Sequence, residues 1–134
     1  MCGLLAFVAA PEGSDKEAAA ARADDAIARA SHSMRHRGPD EPGTWVDPDT
    51  DGSVVFGFNR LSIIDLEHSQ QPLCWGPPDA PGRYTILFNG EIYNYLELRE
   101  QLRGKPYEVN FLTAGDTEVV LAAYHHFGSA AVQR

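Results

Sequence analysis

The chain of 134 residues is poor in cysteine, in positive charge and in long apolar runs. Its two cysteines are too few for a disulfide framework, so a hydrophobic core must hold the fold. Lys and Arg total 11 against 19 Asp and Glu, and this net charge of −8 argues against nucleic acid and membrane surfaces as partners. The longest apolar run, residues 4–10, is too short to span a bilayer, and no Lys or Arg precedes it as in a secretory signal. We therefore expect a cytoplasmic protein.

The common signatures of nucleotide and metal sites are also missing. The chain contains no GxGxxG, P-loop, HExxH or CxxC motif. Residues 47–52 imitate the start of a calcium loop, but Phe58 stands at the twelfth position, where a bidentate Glu is needed. His125 and His126 are adjacent on a predicted helix, so we expect them to point in different directions. The sequence therefore predicts no metal site.

Apolar periodicity and turn residues predict alternating strands and helices. Strands are predicted over residues 3–9, 44–46, 54–64, 84–88 and 107–111, and helices over 16–36, 94–102 and 116–127. Residues 67–83, with four prolines, read as a surface loop. Asn94 with Glu97 predicts a capping box, and Gly128 a helix C-cap. The clustered strands favour a layered α+β fold, and the chain stops so soon after a helix that we expect a fragment of a longer protein.

Cys2 becomes the first residue if the initiator Met1 is removed, which a small second residue permits. The residue then carries a thiol beside an α-amine, and an ordinary α-amine has a pKa of about 7.7–8.0, suited to a base at neutral pH. An ordinary thiol, with a pKa of about 8.5, is only slightly ionised there, so a neighbouring amine supplies the proton acceptor that a nucleophile needs. The competing interpretation is an incidental cysteine near a start codon.

Three other positions carry candidate binding groups. Asn89-Gly90 after a strand is typical of a turn, or else the Asn89 amide and the Gly90 N–H form an oxyanion hole. Arg60, in an apolar strand, needs either a structural carboxylate or a ligand carboxylate as its partner. Asp116, at a helix start, is either an N-cap or a partner for a substrate ammonium.

With these residues in place, the chain resembles the class II glutamine amidotransferases, in particular the glutaminase domain of glutamine-hydrolysing asparagine synthetases. The matching segments, in the family's order, are residues 1–3 (MCG), 37–40 (RGPD), 60–66 (RLSIIDL), 88–95 (FNGEIYNY) and 116–119 (DTEV). Each segment alone is weak, whereas the set covers nearly the whole chain. Asn59 departs from the family pattern, which often has His or Arg there, and Gly115 departs where Ser is common.

The resemblance implies an N-terminal-nucleophile hydrolase fold, a four-layer αββα sandwich that is incomplete at the C-terminal end of this chain. It also implies that Cys2 is the nucleophile, that Asn89 and Gly90 are the oxyanion donors, and that Arg60 and Asp116 hold the α-carboxylate and α-ammonium of L-glutamine. The other substrate-binding residues that it implies are Leu61, Ile63, Ile64 and Glu91.

The resemblance further implies a partner beyond residue 134. Ammonia from glutamine would pass to a C-terminal synthetase domain of the same polypeptide, which amidates aspartate using ATP and magnesium, whereas residues 1–134 need no cofactor. We expect this truncated glutaminase domain to be inactive alone, and a homodimer is compatible with the sequence. The alternatives are a glutaminase serving another acceptor, a non-catalytic glutamine-binding module, and a general thiol amidase, which would leave Arg60 and Asp116 without a purpose.

Overall fold

The structure, a computed structural model, describes residues 2–8, 16–50, 52–60 and 71–134. The chain divides into two compact units, Met1–Ser62 and Ile63–Arg134. The elements are β1 (Gly3–Val8), α1 (Lys16–Ser33), β2 (Glu41–Val46), β3 (Val54–Arg60), β4 (Leu73–Trp75), β5 (Tyr84–Ile86), α2 (Tyr95–Arg103) and α3 (Asp116–Phe127), with 3-10 turns at Arg35–Arg37 and Gly128–Gln133. This mixture of helices and antiparallel strands confirms the α+β class. None of the helices in the described ranges is both long and apolar enough to cross a membrane.

The first unit is a three-stranded antiparallel sheet with one helix packed on it. The strand order is β1-β3-β2, which makes β3 the central strand. Val55 of β3 forms a buried cluster with Ala23 and Ile27 of α1. Gly57 is two residues after Val55 on β3. It lies so close to the helix that a Cβ there would come within 2.5 Å of the Ile27 Cγ2 atom. The alternation along β3 therefore turns one face of the sheet toward α1.

The second unit combines a short hairpin with two helices. Strands β4 and β5 pair antiparallel, with Leu73 opposite Ile86 and Trp75 opposite Tyr84. The buried core consists of Trp75, Leu98, Leu102, Val119, Leu121, Ala122 and Ala123. Since these residues come from β4, α2 and α3, the unit has a hydrophobic core of its own.

Several element predictions are confirmed at or near their bounds. Helix α3 spans the predicted residues, and Gly128 follows it with φ 58° and an N–H bonded to the Tyr124 carbonyl. Strand β1 begins at the predicted Gly3. Helix α1 begins as predicted but ends at Ser33, because the chain tightens into a 3-10 turn there. Strand β2 is longer than predicted and includes Pro42, which an edge strand tolerates.

Three predictions in the second unit are wrong. The predicted loop over residues 67–83 contains β4, which finds its pairing partner in β5. Residues 107–111 form no strand, because Glu108 adopts φ 52° and its N–H bonds to the Gly104 carbonyl in a turn that follows α2. The Asn94 side chain does not cap α2 but donates to the Arg134 carbonyl at 2.8 Å. The predicted capping box is therefore absent from α2.

Candidate active site

Cys2 lies at one end of the sheet in the first unit. The register of β1 and β3 ends with Gly3 opposite Asn59, and Cys2 and Arg60 are the next residues along the two chains. Cys2 is half-buried. The antiparallel pairing therefore leads the backbones of the predicted nucleophile and the predicted carboxylate-binding arginine to the same end of the sheet.

The residue after Cys2 lies close to Met34. A Cβ on Gly3 would lie 3.2 Å from Met34 Cε and 3.3 Å from Met34 Cβ. Met34 follows α1 directly, and its side chain packs against the backbone at the start of β1. A larger residue after Cys2 would therefore require the Met34 side chain to move.

Asn59 fastens this end of the sheet to α1. Its Nδ2 donates to the Ser31 carbonyl at 2.6 Å, and its Oδ1 accepts from the Ser31 hydroxyl at 2.8 Å. Asn59 is 1% exposed, so an apolar replacement would leave the polar atoms of Ser31 without these partners. The residue that departs from the family pattern thus has a structural task beside Gly3. Sequence reasoning missed it, because a lone polar residue in a strand does not reveal its partner.

The second unit presents the Asn89-Gly90 turn shortly after β5. Both residues are exposed within the chain. Just before them, the Phe88 N–H donates to Gln71 Oε1 at 2.7 Å, and Gln71 Nε2 donates to the Phe88 carbonyl at 3.1 Å. The Phe88 ring lies against Gly90, since a Cβ there would come within 3.0 Å of the ring Cζ. Side-chain contacts with Gln71 therefore fix one end of the turn.

The Asp116 carboxylate fixes the other end of the same turn. Its Oδ2 accepts the Ile92 N–H at 3.0 Å, and the residue is 7% exposed. The N-cap of α3 is Gly115, so the interpretation of Asp116 as an N-cap is wrong. Asp116 is instead the first residue of the helix, where the N-terminal end of the helix dipole favours a negative charge.

Two buried charged side chains hold the loop that leads into α3. Glu118, 1% exposed, accepts the Leu112 N–H at 2.9 Å and both the N–H and the hydroxyl of Thr113 at 2.7 Å. Arg99 of α2 donates to the carbonyls of Thr113 and Gly115, each at 2.7 Å. Sequence reasoning missed both residues, although a Glu in the first turn of a helix and an Arg on a buried helix face were the available signals.

The structure gives little or no geometry for the remaining predicted site residues. Leu61, Ile63 and Ile64 lie outside the described residues. Glu91 is exposed in the turn. Cys2 and Arg60 belong to the first unit, whereas all the described candidates from Asn89 onward belong to the second, and each group is positioned within its own unit.

The adjacent histidines of α3 do not diverge as expected. The ring centroids of His125 and His126 are 4.8 Å apart, and the His125 ring also packs on Trp75 and the His126 ring on Tyr107. Burial, and then the neighbouring His125, lower the pKa of His126 below 6.5.

Within the described ranges, no three His, Cys, Asp or Glu side chains form a group that could hold a metal ion.

Comparisons with known proteins give one family. A family model described as a glutamine amidotransferase domain matches residues 1–134. A Mycobacterium bovis protein, provisionally named a glutamine-hydrolyzing asparagine synthetase, is 64% identical over 100% of this chain and 20% of its own length. Asparagine synthetase (glutamine-hydrolyzing) 1 of Bacillus subtilis is 45% identical over 83% of this chain and 16% of its own length. Amidase chry2 of Gibberella zeae is 35% identical over 96% of this chain and 18% of its own length. The chain thus spans a fifth or less of each of these relatives.

Proposed function

We propose that residues 1–134 are the glutaminase part of a glutamine-hydrolysing asparagine synthetase, from the premise that the chain belongs to the glutamine amidotransferase family. The observation that carries the proposal is the β1–β3 register, which ends with Gly3 opposite Asn59 and so supports a site with Cys2 and Arg60 at the same end of the sheet. Glutamine hydrolysis needs a nucleophile and a group that holds the amino-acid carboxylate within the length of one substrate molecule. The names of the relatives support asparagine synthesis as the use of the ammonia.

In the proposed reaction, the Cys2 thiol gives its proton, through a water molecule, to its own α-amine, and the resulting thiolate attacks the side-chain amide carbon of L-glutamine. The new C–S bond pushes the carbonyl electron pair onto oxygen, which accepts hydrogen bonds from the Asn89 amide and the Gly90 N–H. Removing one such donor typically costs about 2.7–4 kcal/mol of transition-state stabilisation. The α-amine of Cys2, through a water molecule, then gives a proton to the leaving nitrogen as the C–N bond breaks, and ammonia departs. Water hydrolyses the thioester, which releases glutamate and restores the thiol.

Selectivity for glutamine follows from fixing both of its α-groups. A hydrophobic pocket distinguishes glutamine from asparagine, one methylene shorter, by only about 1–3 kcal/mol. If Arg60 holds the α-carboxylate and Asp116 the α-ammonium, only a side chain of the right length reaches the Cys2 sulfur. Leu61, Ile63, Ile64 and Glu91 are proposed to line the same pocket.

We also propose the complete fold, the partner domain and the cellular location from the similarity to these relatives. The antiparallel sheet with its helix fits part of a four-layer αββα hydrolase, whose other strands would follow residue 134. The synthetase domain, with ATP and magnesium, would also lie in that part of the polypeptide, since these relatives are at least five times as long as the matched segment. A cytoplasmic location suits such an enzyme.

One observation favours a second candidate function. The likeness to amidase chry2 shows that a relative of this chain can carry a different name from asparagine synthetase. A glutaminase that supplies ammonia to another acceptor is therefore the alternative, and it changes nothing in the roles proposed for Cys2, Asn89 or Asp116.

The test is the Cys2→Ala variant of the full-length enzyme. We expect glutamine hydrolysis to fall by at least about 10³-fold, because the nucleophile is lost, while ammonia-dependent synthesis continues. Cys74→Ala is the matched control, since that cysteine is exposed on β4. Glutamine hydrolysis near the wild-type rate in Cys2→Ala, or Met1 retained on active enzyme by mass spectrometry, would contradict the proposal.

A further inference from the structure

We infer that Gln71 is a positioning residue for the oxyanion donors, an assignment that rests on the proposed glutaminase function. Gln71 belongs to none of the motifs that carry the family resemblance. The inference comes from the contacts of its side chain with the backbone just before Asn89.

The Gln71 carboxamide extends the β4–β5 hairpin by one rung. Leu73 pairs with Ile86, and Gln71 and Phe88 each lie two residues beyond that pair along their chains. At that position the side-chain amide both donates to and accepts from the Phe88 backbone, at 3.1 and 2.7 Å. This is the pair of bonds that two opposite residues exchange in an antiparallel ladder. A side chain thus does here what a main chain does elsewhere in the hairpin.

The rung controls both donors of the turn. The Phe88 carbonyl shares one planar peptide unit with the Asn89 nitrogen, so fixing the carbonyl fixes the start of the Asn89 backbone. The Phe88 ring in turn supports Gly90, because a Cβ at Gly90 would lie 3.0 and 3.2 Å from two ring atoms. Gln71 therefore acts on Asn89 through the peptide plane and on Gly90 through the ring.

The turn is anchored at its other end as well, by the hydrogen bond between Asp116 and Ile92. Ile92 is held by Asp116, so only residues 89–91 lie between two fixed backbone positions. Ordering a residue's backbone costs conformational entropy, and a turn anchored at both ends has met that cost before substrate arrives. Oxyanion stabilisation depends on such preorganised donors. Loss of Gln71 would leave the turn anchored at Asp116 and would act on the transition state more than on bound glutamine.

The experiment compares Gln71→Glu and Gln71→Ala in the full-length enzyme. Glu keeps the size of Gln but places a carboxylate oxygen against the Phe88 carbonyl, whereas Ala removes both bonds. For each variant we expect kcat for glutamine hydrolysis to fall about 10–100-fold, with KM within about threefold. Ammonia-dependent synthesis, and glutamine affinity measured in a Cys2→Ala background, should stay unchanged. Gln101→Glu, an exposed glutamine on α2, is the matched control and should behave as wild type.

The outcomes separate this inference from the function on which it rests. If Asn89→Ala lowers kcat and the Gln71 variants do not, the positioning role is wrong and the glutaminase assignment stands. If the Gln71 variants lower kcat, glutamine affinity and ammonia-dependent synthesis together, Gln71 is merely structural. If Cys2→Ala still hydrolyses glutamine at the wild-type rate, the proposed function itself fails. Should Glu and Ala not accumulate, Gln71→Asn, shorter by one methylene, must show the same division between kcat and KM.

Discussion

The two units place their candidate residues by different means. In the first, Cys2 and Arg60 come to the same end of the sheet because the main-chain ladder between β1 and β3 runs without interruption from Val8 to Gly3. In the second, the Asn89-Gly90 turn has no regular structure of its own, and the flanking backbone N–H groups of Phe88 and Ile92 donate hydrogen bonds to side-chain oxygens. The proposed nucleophile thus directly precedes a strand of the sheet, whereas the proposed oxyanion donors lie on a loop held by side chains.

This difference teaches where each unit is vulnerable. A main-chain ladder survives most side-chain substitutions, so the first unit should respond chiefly to changes in packing. A loop held by side chains loses a backbone anchor with a single substitution. Polar substitutions in the second unit should therefore change the chemistry, and volume changes in the first should change the stability.

Among the substitutions that test this comparison, the largest effect is expected at Asp116, where anchoring and proposed substrate binding share one carboxylate. Asp116→Asn keeps an oxygen to accept the Ile92 N–H but loses the charge for an ammonium. A hydrogen bond to a charged group is worth about 1.5–3 kcal/mol, so we expect the glutamine KM to rise about 10–100-fold with little change in kcat. Asp116→Ala should lower kcat as well, because the turn loses its anchor. If steady-state kinetics give Asp116→Asn a wild-type KM for glutamine, Asp116 anchors the turn but does not bind the substrate ammonium.

A smaller effect is expected from Gly57→Ala in the first unit. The new Cβ would lie 2.5 Å from Ile27 Cγ2, and such overpacking costs about 1–3 kcal/mol in the free energy of unfolding. Gly104→Ala is the control in the second unit, because its φ is −75° and its Cβ would come no closer than 3.5 Å to another residue. In an Ile27→Ala background, the cost of Gly57→Ala should shrink, as urea unfolding of the double mutant would show. Additive costs would disprove the contact.

The smallest effect is a pH dependence confined to the second unit. Burial and the nearby His125 hold the pKa of His126 below its unfolded value of 6.5, so the unfolded chain binds a proton more readily than the folded one. The contribution of His126 to stability is complete above pH 6.5 and declines as the pH falls below it. We expect His126→Gln to flatten the loss of thermal stability between pH 7 and pH 5.5. An unchanged slope would show that the histidine cluster does not titrate this way.

Apolar periodicity predicts elements in both units. The start of β1 and the whole of α3 are predicted because apolar spacing and a terminal glycine mark them. Residues 107–111 look like a strand by composition, but Glu108 at positive φ and a turn bonded to Gly104 override that preference. The anchors of the donor turn were not predictable, since hydrogen bonds between Gln71 and Phe88 or between Ile92 and Asp116 join positions far apart in sequence. The roles proposed for Cys2, Asn89 and the other site residues remain predictions.

A hairpin rung made from a side chain has an evolutionary consequence. Main-chain rungs are inherited with the fold, but the rung at Gln71 can be gained or lost by one codon change. If Gln71 positions the oxyanion donors, such a change would slow the release of ammonia while leaving the Cys2 thiol and the binding of glutamine unchanged. Evolution of this domain could then lower the rate of glutamine hydrolysis by one substitution, without passing through a variant that fails to fold or that lacks the reactive thiol.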